Sequence, residues 1–239
     1  MKGNHVIQTF GKEIREGHLG GCVSDGDPAT YYPHMWEHMV NTYKINSVMD
    51  IGCGCGHHAK YFQSLGCDII AVDGSTETKK NSVVPDHQIV HDYELGNVHS
   101  SHDIEFLGET GSNIRIDLAW SCEFVEHVWE KYSQNFIDDF KLCKYVAMTH
   151  ATPGQGGYHH VNEQPKEYWI DVLDKNGFTY LEDDLIILKE KCKKDWEFMT
   201  TNKSYENVVT SWDQTPLINY RSYFIDTGLF FVNRNYDRV

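Results

Sequence analysis

The chain has 239 residues, 40% of them hydrophobic and 13% aromatic, which suits one domain of ordinary size with a substantial buried core. Its 35 acidic against 21 basic residues give a formal charge of −14, which repels a phosphate backbone and disfavours nucleic acid as a substrate. Seven cysteines, an odd number spread along the chain, no apolar run near the eighteen or so residues of a membrane span, and an N-terminal M-K-G-N-H-V-I-Q-T-F without a signal-peptide core lead to the expectation of a cytoplasmic protein with no membrane partner.

In chain order, residues 20–30 (G-G-C-V-S-D-G-D-P-A-T) are rich in turn formers and read as a loop. Residues 31–45 turn helical. Tyr32, Met35, Trp36, Met39, Val40 and Tyr43 follow a helical apolar spacing, with Pro33 in the first turn and Thr30 or Asp27 available as a cap. The apolar run at 47–51 reads as a buried strand and breaks into Gly52, Gly54 and Gly56, after which Ala59, Phe62 and Leu65 mark a helix over 57–65. Residues 67–72 read as a second buried strand ending at Asp73 and Gly74, 75–85 as a short helix, and 87–91 as a third strand ending at Asp92 and Tyr93. The polar, glycine-dotted 94–115 reads as irregular. A fourth strand is expected at 116–121, a helix at 130–143 and a fifth strand at 144–149. Residues 165–177 are a helix marked by Pro165 and Gly177, 178–188 a sixth strand and 228–232 a seventh. Between the last two lies 189–226, where Trp196, Phe198, Trp212, Tyr220 and Tyr223 could line a substrate pocket or an oligomer contact.

The chemistry concentrates at the strand ends. Glycine lets backbone N–H groups approach a ligand, and the helix that follows adds unpaired donors and the positive end of its dipole. Asp73, at the end of the next strand, can accept ribose hydroxyls. A dinucleotide fingerprint would read G-x-G-x-x-G, and His57 stands where its last glycine belongs. C-x-C-x-H at Cys53, Cys55 and His57 lacks the second paired cluster of a structural zinc site, so no metal is expected. The loop 150–164 follows the fifth strand and carries His150, His159 and His160, more imidazoles than a plain connection needs.

Asp50 before the loop, G-x-G-x-G in it and Asp73 after the next strand together resemble the class I S-adenosylmethionine-dependent methyltransferases, as do Asp117 and the Glu126-His127-Val128 segment. The resemblance implies an α/β, Rossmann-like three-layer sandwich. Its seven-stranded sheet would be mostly parallel, with the last strand antiparallel. One methyltransferase domain would span 1–239, with a lid segment over 1–45, a cofactor-binding core over 46–188 and an insertion over 189–226 through which oligomers could form. Within the lid, Gly20, Gly21, Tyr31 and Tyr32 would fold over the cofactor. The resemblance also implies S-adenosyl-L-methionine held by Asp50, Gly52, Cys53, Gly54, Gly56, Asp73 and Gly74, by Asp92 and Tyr93 at the adenine, and by Ser121, Cys122, Glu123 and Tyr32, with His127 in structure beyond the cofactor. The expected reaction is methyl transfer to a small-molecule acceptor, a hydroxyl on a sugar or other metabolite, with His159 or His160 ahead of His150 as base. The alternatives are a non-catalytic cofactor-binding scaffold and aminopropyl transfer on the same fold.

Overall fold

In the computed structural model, which describes residues 11–201 and 222–236, the first described element is a β-hairpin of β1 (Glu13–Glu16) and β2 (Leu19–Val23). A single helical turn at Pro28–Thr30 leads into α1 (Pro33–Tyr43). Alternating units follow: β3 (Ser47–Ile51), α2 (His57–Ser64), β4 (Asp68–Asp73), α3 (Thr76–Lys80), β5 (Gln88–Val90) and α4 (Val98–Ser101). A small hairpin of β6 (Glu105–Phe106) and β7 (Glu109–Thr110) precedes β8 (Ile116–Ser121), α5 (Ser133–Phe140) and β9 (Cys143–Met148). The chain then runs through α6 (Lys166–Lys175), β10 (Phe178–Tyr180), α7 (Glu182–Thr201), α8 (Tyr223–Thr227) and β11 (Leu229–Asn233).

Seven strands pair in the order β10-β11-β9-β8-β3-β4-β5, with β11 antiparallel to both its neighbours and the pairs from β9 to β5 parallel. Such a sheet is covered on both faces, so its strands are apolar throughout rather than alternating. Successive side chains then supply opposite layers. Val48, Leu118 and Phe230 join Met39, Phe62 and Leu188 of α1, α2 and α7. Met49, Ala119 and Phe231 join Phe136, Phe140 and Trp169 of α5 and α6 on the other face. The first layer is aromatic: Trp36 meets Trp120 edge-on at 5.4 Å, and Trp120 stacks on Phe224 at 5.5 Å.

Two expectations are corrected. The strand expected at 178–188 stops at Tyr180, and a 20-residue helix begins at Glu182. Its I-I-L run looks β-like, but Leu185, Leu188, Cys192 and Met199 bury at helical spacing, and Glu182, Asp183 and Asp184 favour a helix N-terminus. The loop expected at 20–30 begins as strand β2, because residues 19–23 pair with β1 despite two glycines. Residues 202–221, with Trp212 and Tyr220, lie outside the described residues.

Helix α7 also caps α1. Asp195, 2% exposed, accepts from the backbone N–H of His34 (3.0 Å) and of Met35 (3.3 Å) and from His34 Nδ1 (2.5 Å). These are first-turn donors with no intrahelical partner. Asp195→Ala is expected to lower the unfolding free energy by about 1–3 kcal/mol, measured by urea denaturation, since it removes a cap and leaves buried donors unpaired.

Candidate active site

Parallel strands open their carboxyl ends to one side, and ligands of open α/β sheets bind there, where the strand order reverses. In this chain the reversal lies at β3, between β4 and β8. A cavity of about 1110 Å³ occupies this end, lined by the loops after β3, β4, β5, β8 and β9 and by the β1–β2 hairpin. It exceeds the roughly 300–1,000 Å³ usual for a single ligand site, leaving room for two molecules side by side.

The glycine loop forms one wall. Gly52, Gly54 and Gly56 have φ of 76°, 53° and 82°, the left-handed region that side chains other than glycine's rarely enter. At Gly52 a Cβ would also lie 2.5 Å from Phe124 Cβ. Gly52, Cys53 and Gly54 line the cavity; Gly56 does not and instead starts α2. Asp50 sits beneath the loop rather than in the cavity. Its Oδ2 accepts from Ala59 N in the first turn of α2 at 3.0 Å, and burial pushes its carboxyl up to about 8 against the pull of that bond.

Asp73 reaches the cavity with its carboxylate already engaged. Oδ2 accepts from Gly54 N at 2.9 Å, while Oδ1 accepts from Ser75 N at 2.9 Å and from Thr78 Oγ1 at 2.8 Å. A carboxylate offers about four acceptor positions, so Asp73 can take one further donor without breaking the loop. Burial raises its pKa and these three donors oppose the rise. Asp73→Ala should weaken binding of S-adenosylhomocysteine by on the order of 1–3 kcal/mol, and an unchanged calorimetric affinity would remove Asp73 from the site.

Gly74 also lines the cavity, packed so closely under Leu19 of the hairpin that a Cβ would lie 2.4 Å from its Cδ2. Asp92 and Tyr93 border the same end. Asp92 Oδ1 accepts from Glu94 N at 2.9 Å, and Oδ2 lies 2.8 Å from His18 Nε2 of the hairpin. The hairpin thus spans the cavity mouth: Glu16 accepts from Ser75 Oγ and Thr76 N on one side, and Arg15 lies over the Tyr158 ring at 4.7 Å on the other. Gly20 and Gly21 of the expected lid are in this lining, whereas Tyr31 and Tyr32 are buried in the core. Tyr32 donates to Ala29 O and accepts from Phe224 N.

Beyond β8, Cys122 and Glu123 line the cavity, while Ser121 is buried in the strand. Glu123 holds φ 53°, and the Thr149 hydroxyl clasps it, accepting from its N–H and donating to its Oε1, both at 2.7 Å. Withdrawal from water pushes the Glu123 carboxyl up to about 7, with Thr149 pulling down and Asp27 pushing up. Asp27, also raised to about 7 by burial, faces the same cavity. Sequence reading treated Asp27 only as a cap; nothing local marks it as a second cavity carboxyl.

The imidazoles separate clearly. His150 is 2% exposed and outside the lining. His159 and His160 line the cavity, and so does His127, which was expected beyond it. His58 also lines it, but its ring accepts from Trp120 Nε1 at Nδ1 and pairs with Thr30 Oγ1 at Nε2, so both nitrogens are spent in structure. No helix among the described residues is long and apolar enough to cross a membrane.

Residues 49–141 match the family model described as a methyltransferase domain, and no curated protein matches the sequence. Among solved structures, the chain is similar to magnesium protoporphyrin IX methyltransferase from Synechocystis PCC 6803 with bound S-adenosylmethionine (16% identity, 62% of this chain and 66% of that chain, TM-score 0.45). It is also similar to the StiE O-methyltransferase (13%, 62% and 52%, TM-score 0.43) and to WbdD (12%, 84% and 39%, TM-score 0.48). The chain spans less than two thirds of each of these proteins. The methyltransferase-domain match runs from β3 to α5, on a sheet whose seven strands run mostly parallel around a glycine loop and a strand-end acid, so the fold and the matched segment are those of a methyltransferase domain.

Proposed function

We propose that the protein transfers a methyl group from S-adenosylmethionine to a hydroxyl of a small-molecule acceptor, a sugar or a comparable metabolite, with His159 as general base. One observation carries this reading: a single cavity joins the glycine loop and Asp73 at one end to the imidazoles of the loop after β9 at the other. When bound, the cofactor supplies an activated methyl group on a good leaving group. The protein's part is to hold the acceptor oxygen in line with it, keep water out and take the acceptor proton.

His159 suits the last task for reasons of geometry. Its Nδ1 lies 3.2 Å from the carbonyl oxygen of His127, and since a carbonyl only accepts, Nδ1 carries the hydrogen. The lone pair is then on Nε2. The residue is held at φ 50°, a strained conformation that persists at sites where surrounding contacts over-determine it. His160 has its Nδ1 3.3 Å from Glu163 Oε1, and burial lowers its pKa against the pull of that carboxylate.

Incubation with methyl-tritiated S-adenosylmethionine and a panel of sugars and hydroxylated metabolites tests the reading. Label transferred to a hydroxyl supports it; turnover confined to amine or thiol acceptors refutes it.

A further inference from the structure

The Glu126 carboxyl is 0% exposed, with the Glu123 carboxyl beside it, and neither of its oxygens makes a well-aligned hydrogen bond. A carboxylate taken out of water without a partner costs several kcal/mol, so its neighbours need an account. His127 Nδ1 is also buried without a hydrogen-bond partner, and His160 Nδ1, 3.3 Å from Glu163 Oε1, is close to that carboxylate but out of hydrogen-bond alignment with it. Twelve such side-chain atoms occur among the described residues, and four of them belong to these three side chains. Clustering of this kind marks a place built for something other than protein hydrogen bonds.

The backbone brings the three together. Glu126 and His127 lie on the helical turn Val125–His127 that follows β8, and the carbonyl oxygen of Glu126 accepts from Val161 N at 2.9 Å and from Asn162 N at 3.1 Å. Those two bonds stitch the loop after β9 onto the turn and seat His160 against His127, ring centroids 5.0 Å apart and perpendicular. One donor atom from each of Glu126, His127 and His160 lies within 4.8 Å of the others. Donors around a tetrahedral zinc ion with bonds of about 2.0–2.1 Å sit about 3.3 Å apart, so the set has to contract by at most about 1.5 Å, within reach of side-chain rotation.

We propose that Glu126, His127 and His160 bind one divalent transition-metal ion in the wall of the cavity, as a two-histidine, one-carboxylate site. This donor set suits zinc or iron(II) and leaves coordination positions open. Because His127 and His160 line the cavity while Glu126 stands behind them, the open positions face the space where an acceptor would lie. An acceptor oxygen bound there would be oriented and made more acidic, while the proton goes to His159. That role rests on the methyl-transfer reading; the metal site itself does not.

The test uses full-length protein, stripped with chelator and titrated with Co²⁺ by absorption spectroscopy and with Zn²⁺ by calorimetry. One equivalent should bind, giving the visible bands of a nitrogen- and oxygen-ligated cobalt site. Glu126→Gln, His127→Ala and His160→Ala should each lower metal affinity at least tenfold, and calorimetric binding of S-adenosylhomocysteine to the same variants should persist, showing that they are folded. No stoichiometric binding, or binding indifferent to all three substitutions, would overturn the site and leave a protonated Glu126 bonded to imidazole as the occupant of this space. Stoichiometric binding with methyl transfer unaffected by chelation would overturn the role assigned to the ion. Absence of methyl transfer under every condition would refute the functional reading and leave the metal site standing on its titration.

Discussion

His159→Ala is expected to lower kcat by about 10²–10⁴-fold, the range for loss of a positioned proton acceptor, with the affinity for S-adenosylhomocysteine nearly unchanged. The acceptor hydroxyl is a poor nucleophile at neutral pH, and the His127 carbonyl, 3.2 Å from His159 Nδ1, holds the imidazole with its basic nitrogen free to act. Single-turnover rates separate this step from product release. His150→Ala serves as the comparison: His150 is buried outside the cavity, so its effect should appear in thermal stability rather than in the rate of transfer. A single-turnover rate for His159→Ala within threefold of the parent protein would mean that alignment drives the reaction and that no imidazole takes the proton. His160→Ala lies between the two cases, since its loss would act through the metal and should be accompanied by loss of metal affinity.

Gly54→Val is expected to weaken cofactor binding by on the order of 10²-fold or more. Three effects act together. Gly54 sits at φ 53°, where an L residue costs roughly 1–2 kcal/mol and a β-branched one is a genuine outlier. A Cβ there would lie 3.3 Å from Cys22 Cβ of the hairpin, and the valine methyls extend further into the narrow space between loop and hairpin. Finally, Gly54 N donates to Asp73 Oδ2 at 2.9 Å, so relaxation of the loop moves the carboxylate as well. Calorimetry with S-adenosylhomocysteine measures the loss, and far-ultraviolet circular dichroism shows whether the fold survives. An affinity within threefold of the parent protein would mean that the loop does not approach the cofactor.

Much of the core was legible because strand and glycine signals are local. The strand expected at 116–121 is β8 residue for residue, and the one at 47–51 is β3. Both are buried over nearly their whole length and mostly apolar, because the sheet is covered on both faces. The helices over 57–65, 165–177 and 31–45 appear with ends trimmed by one to two residues. Where the reading failed, a competing local signal was misjudged. The I-I-L run of α7 resembles a strand, yet Leu185, Leu188 and Cys192 already carried the helical period. The hairpin was missed because Gly20 and Gly21 read as turn, and only pairing with Glu13–Glu16 makes those residues a strand.

The site divides along the same line. The amino-acid sequence by itself determined the glycine loop, Asp73 at the end of its strand and the histidine-rich loop after the fifth strand, because each depends on residues adjacent in the chain and on the rule that ligands meet parallel strands at their carboxyl ends. Only the tertiary structure decided which of these side chains share a space. It put His150 in the core and His159 on the cavity, turned Asp50 under the loop to cap α2, and drew Asp27 and Glu123 to one wall. It also closed the hairpin over the mouth through Glu16 and His18. The physical reason is that periodicity reports which face of an element is buried, while the meeting of Glu126, His127 and His160 depends on two backbone hydrogen bonds between loops more than thirty residues apart. No pattern confined to either loop encodes that contact.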